Sequence, residues 1–474
     1  MSELNRRNFI GAASIGIGVA LLPKLSVGNI VSGNRKNKAL LFSESVRNIP
    51  LKGDFDVIVC GAGPAGIAAA IAAARTGART QLIETGGCLG GVWTSGLLTF
   101  IFDFDKPGLT REIKERLKQL HAKRNSPPDN FVYAPEPMKL LLENMCLEAG
   151  VEFLLHTRVT AAYLNKNRLS TIVTESKSGR EAWNAKVFID TSGDGDLGAF
   201  AGNGWDIGHG GDQCPCQPMT LNALAVVKDS EKLKNYLSFY DPERTDMSGH
   251  VKASQAFKKE INRAGLKPSY GDPTLFPVSG NLVMLMVNHE YNVRAIDASE
   301  VTNATVRARA EIHNIARGLN NLGGAWEGFQ LVASADQIGI RDGRRLHGRY
   351  TLTKEDLING SRFEDAVTRP NFGVDIHAND QETNDKNAIS RGGITMKPYD
   401  IPLRALIAKD VDGLMMAGRC ISGDFIAHAS YRVVGNAVAM GEAAGTVAAI
   451  ASMSNRMPHQ VEWREAQEVL KSFL

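Results

Sequence analysis

Two stretches carry residue types and spacings that could do chemistry. The first is Gly61-Ala-Gly63-Pro64-Ala65-Gly66, with Glu84 closing the apolar run that follows it. In such a loop Gly61 permits a tight turn, Gly63 lets the backbone approach a pyrophosphate, and Gly66 lets a helix and a strand pack closely. Phosphates would then rest on the unpaired N–H groups at the helix N-terminus. Glu84 would accept hydrogen bonds from ribose hydroxyls, so the stretch predicts a dinucleotide site. The second is Cys214-Pro-Cys216. A disulfide across one proline is strained, and strained disulfides are the labile, redox-active ones; the alternative is two small buried thiols. An iron–sulfur cluster generally needs four converging thiolates. Cys60 falls in a core strand and Cys88 in a loop, so neither a cluster nor another metal is expected.

The elements needed to position the first loop are legible around it. Asp56–Cys60 is a short, β-branched apolar run, as a buried parallel strand requires. Ile67–Arg75 is almost all Ala and Ile, a buried helix that Gly77 stops, and Thr80–Ile83 is a second strand. Helices are expected at 107–123 and 135–149 and a strand at 151–155. From 159 to 189 apolar and polar residues alternate, with turns near Asn165 and Gly179. That pattern predicts an antiparallel meander, after which Lys186–Asp190 returns to the parallel sheet. Residues 205–390 hold fewer apolar runs and scattered His, Arg and Tyr, and read as an inserted lobe. A terminal helix is expected at 433–451, where Gly441 and Gly445 let its backbone press on a neighbour. Asn436 and Glu442 interrupt it as a membrane span.

At 474 residues the chain is long enough for two lobes. Its net charge of +3 comes from interspersed basic and acidic residues, which gives no footprint for nucleic acid. Asn5-Arg6-Arg7-Asn8-Phe9 precedes an apolar run to Leu22 and a small-residue exit at Ser26–Gly28, the layout of an export signal. Adjacent arginines before Phe resemble a twin-arginine signal; an ordinary secretory signal or a retained anchor is the alternative. The expected organisation is an export signal at 1–28, a linker at 29–52, and the first part of a nucleotide-binding domain at 53–204. A substrate or cap lobe follows at 205–395, then the second nucleotide-binding part at 396–455 and a C-terminal helix at 456–474. The mature protein would be periplasmic, delivered by the twin-arginine machinery, with no stable membrane span.

Taken together, these fragments resemble the FAD-dependent oxidoreductases, glutathione-reductase-like flavoproteins that include relatives of the heterodisulfide reductase flavin subunit. The resemblance rests on Gly61–Gly66 with Glu84, Leu89–Gly91 with Thr94 and Gly96, Thr191–Asp196, Gln217–Leu221, Ile338–Gly348, Tyr350–Asp356, Asp375-Ile-His377, Ile401-Pro402, Ala417–Ser422 and Ala429–Ala448. It implies an α/β fold: an interrupted Rossmann-like FAD-binding domain with a β-meander and an inserted α+β substrate lobe. It also implies FAD as cofactor. Gly61, Gly63, Pro64, Ala65, Gly66, Glu84, Gly90, Gly91, Thr94, Val159, Ser192, Gly193, Asp194, Gly418, Arg419, Gly435, Asn436 and Ala437 would hold it. The chain departs from the family in having Arg341-Asp342-Gly343-Arg344 where Arg-Glu-Ser-Arg is usual, and in its Cys214–Cys216 pair.

With FAD supplying the redox chemistry, the protein must supply positioning and a base. The candidate bases are His377, in Asp-Ile-His, and His428, ahead of the final helix. Arg344 and Arg432 could bind an anionic substrate or stabilise charge on reduced flavin, or could form salt bridges between lobes. Two functions follow. One is an exported oxidoreductase moving hydride between a small polar substrate, hydroxylated or carbohydrate-like, and flavin, with an unidentified electron acceptor. The other is a flavin-bearing electron-transfer subunit serving a protein redox partner. A closed cavity lined by His377 and Arg344 favours the first, and an exposed ring edge beside Cys214 the second.

Overall fold

The computed structural model describes residues 42–120, 123–124, 131–209, 216–240 and 247–473. The export-signal stretch and Cys214 lie outside them. The chain divides into a unit Met1–Ile49, whose described part holds no helix or strand, and a unit Pro50–Leu474 that contains every element below.

Strand β1 (Leu51–Cys60) enters the glycine loop, helix α1 (Pro64–Arg75) leaves it, and β2 (Thr80–Ile83) returns beside β1. Val57, Ile58 and Val59 are fully buried, as a strand covered on both faces requires. Each such side chain contributes about 1.5–3 kcal/mol on burial. Helix α2 (Leu109–Gln119) is shorter than the 107–123 expected. Gly108, at φ 72°, sits in the left-handed region, and a helix cannot run through it. Helix α3 (Pro135–Glu148) opens on a proline, whose missing N–H costs nothing at that position.

Strand β3 (Glu152–Leu154) pairs parallel with β2. The meander follows as β4 (Arg158–Asn165), β5 (Arg168–Ser176) and β6 (Gly179–Asp190), antiparallel in sequence. Strand β6 changes company along its length. Its first half completes the meander against β5, while β1 runs parallel along its other side to Asp190. Its last residues, Phe188–Asp190, take β11 (Leu414–Met416) as a parallel neighbour. The seven-stranded sheet therefore runs β3-β2-β1-β6-β5-β4, with β11 on the end of β6.

The middle of the chain builds a four-stranded antiparallel sheet in the order β8-β9-β7-β10, from β7 (Ala223–Val226), β8 (Thr274–Ser279), β9 (Leu282–Met286) and β10 (Gln330–Ser334). Helices α4 (Met247–Arg263) and α5 (Ala298–Asn321) share its core. Ala304, Ala308, Ile312, Ile315 and Leu319 of α5 recur at helical spacing and are buried there. A separate, larger core surrounds the parallel sheet.

Helix α6 (Ala437–Met453) is buried almost all round. A β-carbon on Gly441 would run into the carbonyl oxygen of Ala65, and one on Gly445 into that of Ala69. Two backbones thus meet along α1 and α6, with only hydrogen atoms between them. By length and composition Val434–Met453 could cross a membrane, yet most of it is buried inside the protein. Its polar residues have partners there: Asn436 Nδ2 donates to Asp103 Oδ2 at 3.0 Å, and Glu442 Oε1 accepts from Leu109 N at 3.2 Å.

Candidate active site

The glycine loop is built as its spacing requires. Gly61 has φ 104°, and a β-carbon there would stand 2.6 Å from Thr191 O. A β-carbon on Gly66 would strike the carbonyl oxygen of Gly61, but one on Gly63 meets nothing within 4 Å. Gly63 is also the N-cap of α1, and no side chain caps the helix. The first-turn N–H groups therefore open beside free space, the geometry that receives a phosphate. Glu84 is fixed from both sides, since Oε2 accepts from Ala62 N at 2.7 Å and Oε1 from Gly86 N at 2.6 Å. Each oxygen keeps a lone pair for a ribose hydroxyl.

A cavity of about 820 Å³ runs from this loop to the face of the four-stranded sheet. Gly61, Gly63, Pro64, Ala65, Glu84, Gly91, Val159, Ser192, Gly193, Asp194, Gly418, Arg419 and Ala437 line it, as do His377 and Arg432. The other candidates stand behind the wall. Gly90, at φ 108°, donates its N–H to Ala62 O and so ties the second glycine loop to the first. Thr94 is buried and donates from Oγ1 to Leu89 O at 2.6 Å. Gly435 is pressed on the carbonyl oxygens of Phe102 and Asp103, and Asn436 holds the Asp103 carboxylate.

Arg344 does not reach the cavity. Its Nη1 donates to Asp194 O and to Asp196 Oδ1, at 3.0 and 2.8 Å, and its guanidinium lies over Trp205. Arg341, three residues earlier, lines the cavity in its place. The unusual Gly343 between them is explained by crowding. A β-carbon there would overlap Asp194 Oδ1 and stand 3.0 Å from Arg419 Nη1, and these two atoms form a 2.8 Å ion pair.

His428 is fully buried beside Asp342, with Nδ1 3.3 Å from Oδ1 but without the alignment of a hydrogen bond. Burial pushes its imidazole down to about 4, against the pull of Asp342. Asp342 is engaged elsewhere, accepting Gln217 N at 2.9 Å.

His377 borders the cavity and is part of a network. Asp375 and His377 are two apart on extended chain, so their side chains share a face. Nε2 of His377 lies 3.2 Å from Asp375 Oδ2, while Nδ1 has no hydrogen-bond partner among the described residues. Arg432 Nη2 donates to Asp375 O at 2.6 Å, to Asp375 Oδ2 at 3.3 Å and to Gln217 Oε1 at 3.2 Å. The same Gln217 oxygen accepts His377 N at 3.0 Å. Burial, then the Arg341 charge, pushes the His377 imidazole down to about 4. Burial would raise the Asp375 carboxyl, but His377, Arg432 and Arg341 hold it well below the usual range. The pair is thus a neutral imidazole on an ionised carboxylate. Asp375, Gln217 and Arg341 were not among the candidates proposed for catalysis; the i, i+2 spacing of Asp375 and His377 is the signal for the first. Asp103, at φ 56°, left no sequence signal.

Among the cysteines, burial pushes the thiols of Cys60, Cys146 and Cys420 up, Cys146 to about 12, so they are inert at neutral pH. Cys216 is buried and disulfide-bonded, which removes the free-thiol reading for it.

A parallel sheet entering an uncapped glycine loop, a carboxylate at the end of the next strand and a long cavity define a dinucleotide-cofactor enzyme. The sequence profile of the FAD dependent oxidoreductase family matches residues 56–470, and the chain belongs to that family. It is an FAD-dependent oxidoreductase, and the open space at Gly63 and the two-sided seat of Glu84 fit that cofactor. No curated protein matches the chain significantly. Solved structures to which the chain is similar include a geranylgeranyl bacteriochlorophyll reductase-like protein of Thermoplasma acidophilum, with 15% identity, a TM-score of 0.43, and coverage of 89% of this chain and 84% of that one. An anhydrotetracycline hydroxylase of Streptomyces rimosus shows 12% identity and a TM-score of 0.43, over 89% and 65% of the two chains. A myxobacterial chondrochloren halogenase shows 11% identity and a TM-score of 0.43, over 89% and 79%.

Proposed function

We propose that this oxidoreductase dehydrogenates a hydroxylated small molecule, with His377 as the base. The observation that supports it is the neutral His377 on ionised Asp375, bordering the same cavity as the glycine loop. When bound, FAD would supply the hydride acceptor, held by Gly61, Gly63 and Glu84. Nε2–H of His377 donates to Asp375 and so fixes the tautomer, which leaves Nδ1, without a partner among the described residues, as the basic nitrogen. Arg432 and Gln217 hold Asp375 and the His377 backbone in register. The substrate loses one hydride and one proton and becomes a carbonyl compound. An electron-transfer subunit would instead present its cofactor edge to a partner, and a cavity of about 820 Å³ bordered by His377 favours the small-molecule reading.

The test is a panel of hydroxylated compounds, mixed anaerobically with the purified yellow protein and then with an artificial electron acceptor. Bleaching of the flavin by one of them is expected. Bleaching by a reduced redox protein and by no small molecule would overturn the proposal. We propose in addition that Arg6 and Arg7 direct export to the periplasm by the twin-arginine route. Replacing both by Lys should strand the protein inside the cell, and a flavin-loaded double variant found outside would reject that route.

A further inference from the structure

We infer that the substrate end of the cavity takes an amphipathic anion, a molecule with a flat apolar body and one carboxylate. This deepens the reading above, on which it rests for the reaction but not for the binding.

The wall of the cavity fits the apolar body. Phe100, Phe102, Phe239, Phe276 and Phe372 all line the cavity. Phe100 stacks on Phe239 with centroids 4.7 Å apart and on Phe276 at 4.9 Å, and Phe102 meets Phe372 at 5.3 Å. Phe239 holds this position at φ 53°, a left-handed conformation that bulky residues rarely adopt. Aromatic faces favour offset or edge contacts with another flat apolar group. A polyol laid on these rings would turn hydroxyls toward faces that offer them no hydrogen bond. The rings therefore favour a flat apolar body over a polyol.

Arg341 offers the seat for the carboxylate. Its Nη1 is tied down by two acceptors, Pro218 O at 2.7 Å and Thr220 Oγ1 at 2.8 Å. Its Nε and Nη2 have no partner among the described residues, and no described carboxylate lies within ion-pair distance. The guanidinium is thus oriented from one nitrogen, with the rest of the planar fork available, which suits a bidentate carboxylate. The neighbouring pair points the same way. Asp375 is already engaged by Arg432 and His377. The Arg341 guanidinium is thus without an ion-pair partner among the described residues in a buried site, where charges are normally paired.

The test titrates the flavin-loaded wild-type protein with non-reacting probes, following the flavin absorbance shift and, independently, the heat of binding. Benzoate and 2-naphthoate should bind at least about tenfold more tightly than acetate, which lacks the body, or benzamide, which lacks the charge. Arg341→Gln should weaken benzoate about tenfold or more and leave benzamide unchanged. Acetate or benzamide binding as well as benzoate in the wild type would overturn the inference, whether or not the variant folds. So would a flavin-loaded Arg341→Gln variant that binds benzoate normally. If the aromatic carboxylates bind but no hydroxylated compound bleaches the flavin, the oxidation reading fails and this one stands. Sugars that bleach the flavin while benzoate does not bind would do the reverse.

Discussion

A β-carbon on Gly66 would collide with the carbonyl oxygen of Gly61, whereas the position between them, Gly63, faces open space. Glycines in one loop therefore fail in different ways. Gly66→Ala should lose the fold, because backbone rather than a movable side chain stands in the way. Gly63→Val should fold with a normal circular dichroism spectrum and melt but take up no flavin, since its side chain fills the phosphate approach. Measuring folded fraction and flavin content on both variants checks the pair. A flavin-loaded Gly63→Val protein would contradict this account.

His428 and Asp342 are both fully shielded and sit off the cavity. His428→Asn should cost about 1–3 kcal/mol in stability, the usual consequence of disturbing a buried polar pair. Its rate of flavin reduction per bound flavin should match the wild type. A flavin-replete variant with a large loss of rate would return His428 to the list of catalytic candidates.

The first sheet was legible because each of its signals is local. Strand β2 has the bounds its apolar run gave, and the turns near Asn165 and Gly179 divide the meander where expected. Gly441 and Gly445 announced a close helix contact, although nothing in their spacing named Ala65 and Ala69 as the partners. The four-stranded sheet was hidden. Its strands Ala223–Val226 and Leu282–Met286 are short apolar runs separated by long polar stretches, so composition over a window masked them. At the site, Gly343 fits against Asp194 and the Arg419 guanidinium, and Arg341 rather than Arg344 lines the cavity. That contact joins three distant segments, and no local pattern encodes it.

Glu442 links α6 to the start of α2, and burial pushes its carboxyl from 4.5 up to about 7. A carboxyl raised by folding binds its proton more tightly in the native state. Its contribution to stability is complete below about pH 4.5 and is lost as pH rises through about 7. Glu442→Gln keeps an acceptor for Leu109 N without a charge to bury. Its stability relative to wild type should improve steadily as pH is raised across that window, as read from urea unfolding at several pH values. A difference independent of pH would show that Glu442 is not buried as its protonated form.

If His377 is the base, His377→Ala should keep its flavin and slow substrate bleaching by about 10²–10⁴-fold, the usual contribution of a positioned general base. The pH dependence adds a sharper check. Only neutral imidazole accepts a proton, and burial with the Arg341 charge holds the His377 ionisation near 4 rather than at its ordinary 6.5. The wild-type reduction rate should therefore be flat in this group from neutral pH down, and fall only as pH drops through about 4. Because the folded value is lowered, the stability this group contributes is complete above about 6.5 and is lost as pH falls toward 4, so rates are measured in single turnover before unfolding intervenes. Asp375 pulls the ionisation of His377 upward, and Asp375→Asn should move the limb to still lower pH. A flavin-replete His377→Ala protein reduced at wild-type speed would remove His377 from the mechanism. A limb found near 6.5 in the wild type would assign the proton transfer to an imidazole outside this buried network.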